Sequence, residues 1–370
     1  MDRIRVLHIF DKISISSGVC SVIMNYYNHI DKRKVVFDFM VNEPVSEEIQ
    51  NTLERQGSKI YVMPALKIQN YVKYMKQLKI FFYSHADYAI VHGHTPNVAA
   101  FYLKVAKDCG IKIRIIHSHN AIGAENKLKR IRNRILYQVA IKNANTYFAC
   151  GRKAAEYLYG KNFNKNYYIM NNAIDLEKYK FNEKIRCQIR KQLDIEGKFV
   201  LGNVGRFCKQ KNQKFLINIL AEIIKTDKNV KLLLIGDGKQ LKEVQQDAEK
   251  LKVSEYIVFT GEVNNVFDYI QGMDIFILPS LFEGLPVVCV EAQAIGLPCL
   301  ISSTVTKEIA INQNIEFVSI FDSPKKWGNS ILEMRKRSRQ ENIEMPSFDI
   351  KDKSRELTNI YYELIEKYQK

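Results

Sequence analysis

Two glutamates stand in a segment that is otherwise suited to the inside of a protein. The stretch LPSLFEGLPVVCVEAQAIGLPC (residues 278–299) is mostly apolar, yet it carries Glu283 and Glu291 eight positions apart. A buried carboxylate is costly unless strong hydrogen-bond donors surround it. The hydroxyl groups of a sugar or a ribose are such donors, so the segment suggests a ligand that contains carbohydrate.

The elements around these glutamates place them beside the N-terminus of a helix. IFILPS (275–280) has the pattern of a buried strand, and LFEGLP forms the loop beyond its carboxyl end. A proline then opens a helix, where its missing N–H costs nothing. Glu283 precedes this helix, and Glu291 lies about one and a half turns inside it. The amides of Gly284 and Leu285 are expected to be available to phosphate oxygens.

Cations follow the strand that opens the second half of the chain. Arg206 and Lys211 lie in NVGRFCKQKNQ, and Gly205 frees the backbone between the strand and Arg206. An arginine offers a planar fork to phosphate oxygens, and a lysine offers a mobile point charge. The alternative is a pair of solvated cations, but a helix N-terminus disfavours cations unless an anion is bound there. The segment therefore predicts a diphosphate clamp.

All seven histidines fall in the first 119 residues. Two pairs close strands, His92 with His94 in HGHT and His117 with His119 in HSHN. Strand alternation puts His117 and His119 on one side, with His119 nearest the carboxyl edge of the sheet. A histidine at a strand end is usually structural, and few carboxylates lie nearby to complete a metal site. We therefore predict no metal ion.

Gly18 lies in SISSGVCSV, after the first predicted strand and at the start of a predicted helix. A glycine there allows the backbone to approach a ligand, and the helix N-terminus favours an anion. A tight turn would need the same glycine, and both interpretations stay open.

Short apolar strands alternate with amphipathic helices along the whole chain, which predicts parallel sheets with right-handed crossovers. We expect an α/β fold with two Rossmann-like domains whose sheets face a central cleft, at residues 1–177 and 178–345. Residues 346–370 form a C-terminal helix that returns to the first domain. The predicted strands are 4–10, 35–41, 59–64, 88–94, 112–119, 146–150, 198–207, 231–238, 256–262, 275–280 and 298–303.

The composition fits a soluble globular protein, since 46% of the 370 residues are hydrophobic and 26% are charged. Seven scattered cysteines without a CxxC pair indicate reduced thiols in the cytoplasm. No apolar run is long enough to span a bilayer.

The formal net charge of +16 implies anionic partners. Basic segments 70–83 and 126–143 are either solvated helix faces or contacts with an anionic membrane. Nucleic acid is disfavoured, because no binding motif accompanies the charge.

Several motifs together resemble one family. EGLPVVCVE matches the E-x7-E signature of retaining glycosyltransferases with the GT-B fold, in glycosyltransferase family 4. GRFCKQKN resembles the family's diphosphate-binding segment, NNAID (171–175) its hinge-side motif, and LLLIGDG and FTGEVNNV its base-side and ribose-side loops. The resemblance covers nearly the whole chain and is strongest to the subgroup that builds capsular and exopolysaccharides. SSGV departs from the commoner Gly-Gly pair, which leaves the contact of Gly18 open.

The resemblance implies a division of labour among these residues. Arg206 and Lys211 would hold the donor diphosphate, Glu291 would bind ribose, and Glu283 would touch the donor sugar. Glu262 and Val263 would lie in the loop beside the base and ribose, and His119 would lie near the transferred sugar. No Asp-x-Asp triplet is present, in agreement with a reaction that needs no metal or other cofactor. The family's favoured retaining mechanism is front-face transfer, so we assign no general base.

The expected activity is transfer of a hexose or N-acetylhexosamine from a nucleotide sugar to a lipid-linked saccharide at the inner face of the plasma membrane. UDP is favoured as the nucleotide by family frequency alone. Two alternatives stay open. One is a nucleotide-sugar epimerase or hydrolase of the same fold, for which His117, His119 and Glu283 could supply acid and base groups. The other is a subunit that binds the donor without catalysis.

Overall fold

The structure is a computed structural model that describes residues 3–13, 18–120, 126–341 and 343–369. The chain divides into two compact units. Unit 1 comprises Met1–Ala173 together with Asp349–Lys370, and unit 2 comprises Ile174–Phe348. The divisions thus fall at 173/174 and 348/349, where the sequence analysis places them at 177/178 and 345/346.

Unit 1 is built on a parallel sheet whose described strands number seven, in the order β3-β2-β1-β4-β5-β6-β7. Its strands are β1 (Ile4–Ile9), β2 (Val35–Val41), β3 (Ile60–Val62), β4 (Ile90–Gly93), β5 (Ile113–Ser118), β6 (Thr146–Ala149) and β7 (Tyr168–Ile169). The helices between them are α1 (Gly18–His29), α2 (Glu47–Arg55), α3 (Tyr71–Ser84), α4 (Pro96–Asp108), α5 (Lys127–Asn143) and α6 (Arg152–Tyr159).

Unit 2 repeats this plan with a parallel sheet in the order β10-β9-β8-β11-β12-β13. Its strands are β8 (Phe199–Val204), β9 (Val230–Ile235), β10 (Ile257–Gly261), β11 (Ile275–Leu278), β12 (Cys299–Ser302) and β13 (Ile315–Val318). Its helices are α7 (Glu183–Gln192), α8 (Gln213–Ile223), α9 (Leu241–Lys250), α10 (Val266–Gln271), α11 (Val287–Ala294) and α12 (Pro324–Met334).

The predicted fold class of two Rossmann-like α/β units is confirmed. β2 shows why the apolar runs become central strands, since VVFDFMV is buried at every position and a parallel sheet is covered on both faces. In both units the strand order reverses beside the first strand, between β1 and β4 and between β8 and β11. Ligands of such sheets bind beyond the carboxyl ends of the strands at this switch point.

The last helix, α13 (Ile350–Gln369), packs on unit 1. Tyr361 is fully buried, and its hydroxyl lies 2.9 Å from Nδ1 of His92. Leu357 and Leu364 are buried on the same stripe, as expected for positions that recur at helical spacing. Among the described residues, no helix combines the length and apolar character that crossing a membrane requires.

Candidate functional site

The loops beyond β8 and β11 are joined at the switch point of unit 2. The backbone N–H of Leu281 donates to the carbonyl of Gln210 at 2.8 Å. The side-chain amide of Asn212 donates to the carbonyl of Pro279 at 3.2 Å. The predicted clamp segment and the predicted Glu283 loop, more than sixty residues apart in sequence, therefore form one structure.

Lys211 and Glu283 form an ion pair in these loops, with 2.7 Å between Nζ and Oε1. The side chain of Glu283 is 9% exposed and that of Lys211 is 18% exposed. Glu283 also accepts hydrogen bonds from Ser280 Oγ at 2.9 Å and from Gln210 Nε2 at 3.2 Å. The carboxylate is therefore compensated for its burial and held in one orientation.

Close backbone packing explains two glycines of this site. The aliphatic part of Lys211 lies over Gly205, where an added Cβ would be 3.2 Å from Cε of the lysine. Gly236, at the end of β9, has φ +129°, and a Cβ there would lie 2.4 Å from the carbonyl oxygen of Gly205. A side chain at position 236 would therefore push the loop of Gly205 away from the sheet.

Arg206 is a second cation of the clamp segment, five positions before Lys211 in the sequence. Its side chain is exposed and forms no hydrogen bond or ion pair with the residues that the structure describes. Glu262 is exposed and Val263 half-buried, directly after β10, the outermost strand on its side of the sheet. Gly284 and Leu285 lie in the loop just before α11.

Glu291 projects from α11 and accepts a hydrogen bond from the hydroxyl of Tyr179, with 2.6 Å between the oxygens. Burial raises the pKa of Glu291, although the Tyr179 hydrogen bond lowers it. The thiol of Cys289, whose pKa burial raises, also experiences the charges of Lys211, Glu283 and Glu291. The charges of Glu283 and Glu291 therefore both influence the same thiol on α11.

Unit 1 contains a cavity of about 300 Å³ at its own switch point. Residues that follow β1, β4 and β5 form one side of it, and side chains of α5 and α6 form the other. The wall is rich in hydroxyl, amide and aromatic groups with one carboxylate, the mixture that recognises sugar hydroxyls and pyranose faces. The polar and aromatic lining residues are Phe10, Asp11, His94, Thr95, Asn97, Ser118, Asn120, Asn133, Tyr137 and Tyr157.

Five histidines of unit 1 pack together on one face of the sheet next to this cavity. They are His8 on β1, His92 and His94 on or just after β4, and His117 and His119 on or just after β5. Burial lowers the pKa of all five, to about 3 for His8 and His119. The imidazoles are therefore neutral near pH 7.

Two groups of three within this cluster bring ring nitrogens within 4.8 Å of one another. One group is His8, His92 and His94, and the other is His94, His117 and His119. Most of these nitrogens are already paired, for example His94 Nδ1 with His119 Nε2 at 2.9 Å. The geometry is that of hydrogen-bonded imidazoles and not of ligands directed at one ion. The absence of a metal in the reaction stays a prediction.

Gly18 begins α1 and is exposed, and no described atom lies within 4 Å of a Cβ added there. Its φ is not in the left-handed region. The preceding residues 14–17 of its motif lie outside the described residues. The predicted ligand contact of Gly18 therefore stays a prediction.

Sequence reasoning missed three partners of the predicted residues. Gln210 and Ser280 orient Glu283, and Tyr179 bonds Glu291 from 112 positions away. No local pattern marks Tyr179, which lies between the predicted strands 146–150 and 198–207. His8 could have been found, since HIF ends a strand as HGH and HSH do, but only the strand order makes β1 the neighbour of β4.

Comparison with known proteins shows what this chain is similar to. Residues 186–343, which make up most of unit 2, match the family described as Glycosyl transferases group 1. Along its whole length, the chain is similar to the Putative glycosyltransferase EpsF of Bacillus subtilis (strain 168), with 27% identity over 373 residues and 96% of each chain covered. It is also similar to the Capsular polysaccharide biosynthesis glycosyltransferase CapH of Staphylococcus aureus, with 24% identity, 97% of this chain and 98% of CapH covered.

The fold agrees with this class. The crystal structure of Anabaena Alr3699/HepE in complex with UDP and glucose superposes with a TM-score of 0.80 at 16% identity, covering 97% of this chain and 100% of that one. At that identity the likeness shows a shared GT-B type of fold. The family match and the relatives support a glycosyltransferase with exopolysaccharide and capsule homologues.

Proposed function

We propose that this protein is a retaining, metal-independent glycosyltransferase of family 4 that acts in capsular or exopolysaccharide synthesis. It moves a hexose or N-acetylhexosamine from a nucleotide sugar, with UDP as the nucleotide, to a lipid-linked saccharide. The observation that carries the proposal is the joined pair of loops at the switch point of unit 2. There the Lys211–Glu283 ion pair lies in the same loops as the unpaired cation of Arg206.

The cations suit a departing diphosphate. Arg206 offers its full guanidinium fork, and Lys211 spends one of its three N–H donors on Glu283. When the bond to the sugar breaks, negative charge grows on the diphosphate, and fixed cations stabilise that charge without a metal ion. HepE binds UDP in its crystal structure, which supports UDP as the nucleotide here.

Glu283 suits a positioning role better than that of a nucleophile. It already accepts hydrogen bonds from Lys211, Ser280 and Gln210, and each of them reduces the nucleophilicity of the carboxylate. A carboxylate fixed in this way orients a sugar hydroxyl. We therefore assign transfer on one face of the donor, with the leaving phosphate as the acceptor of the proton.

Glu291 suits a ribose. Tyr179 donates to Oε1, and Oε2 has no partner among the described residues. A carboxylate oxygen in a buried setting gains more from a ribose hydroxyl than it would in water.

The cavity of unit 1 suits the acceptor saccharide. Asp11 and the amides of Asn97, Asn120 and Asn133 supply polar partners for hydroxyl groups. The rings of Tyr137 and Tyr157, 6.0 Å apart between centroids, supply apolar faces. These lining groups suit a carbohydrate rather than a nucleotide phosphate, because the described residues that line the cavity include no lysine or arginine.

The two basic segments suit the surface of an anionic membrane. α5 buries only Ala140 and exposes an apolar stripe, which includes Leu128 at 78% and Ile131 at 59% exposure, among its lysines and arginines. α3 likewise exposes Val72 and Tyr83 beside its lysines. Exposed apolar side chains flanked by cations are typical of helices that lie in the membrane interface. This surface would bring the protein to a lipid-linked acceptor at the inner face of the plasma membrane.

The test is release of UDP from UDP-sugars with and without a membrane lipid extract, in the presence of a chelator. A transferase releases UDP only when acceptor is present, and chelation leaves the rate unchanged. A hydrolase would release UDP without acceptor, an epimerase would interconvert sugars without release, and a binding subunit would do neither. Arg206→Ala should reduce transfer at least 100-fold by loss of charge stabilisation, while Lys209→Ala in the same loop serves as the matched control. Near-normal turnover of a folded Arg206→Ala variant contradicts the proposal.

A further inference from the structure

The five buried histidines of unit 1 form two hydrogen-bonded chains. In the first chain, His8 Nδ1 lies 2.9 Å from His94 Nε2, and His94 Nδ1 lies 2.9 Å from His119 Nε2. The planes of His8 and His94 differ by 13°, with centroids 5.2 Å apart. A short contact between nitrogens at that centroid separation places the rings edge to edge, so each N–H is directed at the next ring nitrogen.

The second chain runs beside the first. The hydroxyl of Tyr361 lies 2.9 Å from His92 Nδ1, and His92 Nε2 lies 3.1 Å from His117 Nδ1. The centroids of His92 and His94 are 4.5 Å apart with 14° between the planes, and those of His117 and His119 are 4.0 Å apart. The second chain thus covers the faces of the first and keeps water from its links.

Neutral imidazoles in a chain have only two consistent arrangements of protons. Each ring carries one N–H and one lone pair, and each link uses one of each. In one arrangement, every Nδ1 carries the proton, so His8 donates to His94, His94 donates to His119, and Nδ1–H of His119 ends the chain. In the other, every Nε2 carries the proton, and His119 ends the chain with a bare lone pair on Nδ1.

The inner end of the chain favours the first arrangement. His8 Nε2 is buried and has no hydrogen-bond partner among the residues that the structure describes. In the first arrangement this atom is an unpaired lone pair, whereas in the second it is an unpaired N–H. Buried N–H groups without an acceptor are the rarer of the two in folded proteins. The outer end is open, since Nδ1 of His119 meets no partner among the described residues and His119 is the one half-buried member of this chain.

We infer that His8 and His94 are positioning residues that fix the tautomer of His119, so that His119 presents Nδ1–H as a donor to an oxygen of a saccharide in the adjoining cavity of unit 1 and does not act as a base. This inference rests on the proposed function, in which the cavity of unit 1 holds the acceptor saccharide. The inference explains why a buried face of the sheet carries three histidines linked by hydrogen bonds. Apolar side chains would pack there without any need for hydrogen-bond partners. The inference also agrees with a reaction in which the leaving phosphate, and not a histidine, takes the acceptor proton.

The tautomer is measured directly on the wild-type protein. Two-bond 1H–15N correlation spectra of the 15N-labelled chain distinguish Nδ1–H from Nε2–H for each neutral histidine, with assignment by His119→Gln. The expected result is Nδ1–H for His119 and His94. An Nε2–H tautomer at His119 overturns the inference. This measurement needs no substrate, so its outcome is independent of whether the protein transfers a sugar.

Two substitutions of nearly equal size at position 94 test the consequence. In His94→Asn the amide nitrogen replaces Nδ1 and still donates to His119 Nε2. In His94→Asp the carboxylate only accepts, which forces Nε2–H on His119 and turns its Nδ1 into a lone pair. We expect His94→Asn to keep kcat within tenfold of wild type and His94→Asp to lose about 100-fold, as for loss of one donor that meets the reacting group.

Controls separate this effect from misfolding and from failure of the proposed function. His85→Asn and His85→Asp make the same changes at a histidine that bonds the carbonyl of Phe81, outside the cluster, and should leave kcat unchanged. UDP binding, which involves unit 2, should be equal in both His94 variants. Equal kcat in folded His94→Asn and His94→Asp overturns the inference. If wild type shows no transfer at all, the proposed function fails, while the NMR result still decides the tautomer.

Discussion

Mild acid should destabilise unit 1 selectively, because it holds all seven histidines of the chain and five of them form a cluster in which four are buried and His119 is half-buried. Their pKa values lie below the usual 6.5 in the folded protein, since burial disfavours the charged imidazolium. On unfolding, each regains its usual pKa and binds a proton. A group with a lowered folded pKa stabilises the fold above its unfolded pKa, and that stability is lost as the pH falls below 6.5.

The magnitude follows from the number of groups. One pH unit below 6.5, protonation favours the unfolded state by about 1.4 kcal/mol for each histidine. Five such groups give about 7 kcal/mol, which is comparable with the whole stability of a typical domain, about 5–15 kcal/mol. At about pH 7.5 the same five groups contribute less than about 0.5 kcal/mol. Unit 1 should therefore lose most of its stability between about pH 7 and pH 5.5.

Unit 2 provides an internal control for the assay. It contains the single tryptophan, Trp327, buried on α12, and none of the histidines. Burial raises the pKa of Glu291 in the same unit, so falling pH stabilises this group in the folded state. Urea unfolding is followed by tryptophan fluorescence for unit 2 and by far-ultraviolet circular dichroism for both units, at about pH 7.5, 6.5 and 5.5.

The expected result is an early unfolding phase in circular dichroism that moves to lower urea as the pH falls, ahead of the fluorescence change. If the two units unfold together, the common midpoint moves instead. Replacing one member of the cluster, as in His117→Asn, should reduce the slope of stability against pH below 6.5 by about one proton. A midpoint that is the same at all three pH values in both probes refutes the argument, because it would mean that the histidines are not neutral and buried.

Three further outcomes follow from the described contacts. Lys211→Met should lower the free energy of unfolding of unit 2 by about 3 kcal/mol, since it leaves the buried carboxylate of Glu283 without its cation, and adding Glu283→Gln should restore much of the loss. Tryptophan fluorescence in urea measures the stability of the single and the double variant. Equal stability of the two variants contradicts the pairing. Tyr179→Phe should weaken UDP binding, because Glu291 loses the hydrogen bond that orients its carboxylate and lowers its pKa. Calorimetry measures the affinity, and an unchanged value would separate the Tyr179–Glu291 pair from the ribose. Leu128→Glu should reduce cosedimentation with anionic vesicles several-fold, whereas Leu251→Glu on unit 2 should not, and equal loss in both would exclude α5 as the specific contact.

Local patterns were sufficient for most of the fold. Most continuous Val/Ile/Leu runs become buried parallel strands, because a parallel sheet is covered on both faces, whereas the run VVCV (287–290) lies in α11. β7 and β13 were missed, and both are short, two and four residues, with partly exposed side chains. The boundary between the units, at 173/174 in the structure, falls inside NNAID (171–175), the segment that resembles the family's hinge-side motif.

The candidate site was likewise predicted partly from the sequence and decided partly by the tertiary structure. The sequence alone indicated Glu283, Glu291, Arg206 and Lys211, because a carboxylate in an apolar helix and cations at a helix start need a compensating ligand. Only the tertiary structure paired Lys211 with Glu283 and left the side chain of Arg206 without a partner among the described residues. Ion pairs depend on distances of a few ångströms between loops that are far apart in sequence, and local periodicity contains no information on those distances.

The histidines show the limit of the sequence most clearly. The repeated HGH and HSH motifs placed pairs of imidazoles at the ends of strands, and alternation put each pair on one face. That His8 joins them depends on the order β1-β4-β5, which a sequence does not specify. The neutral state and the chain of hydrogen bonds were decided by burial and by neighbouring strands, because both the pKa and the tautomer of an imidazole depend on what surrounds the ring and not on its position in the chain.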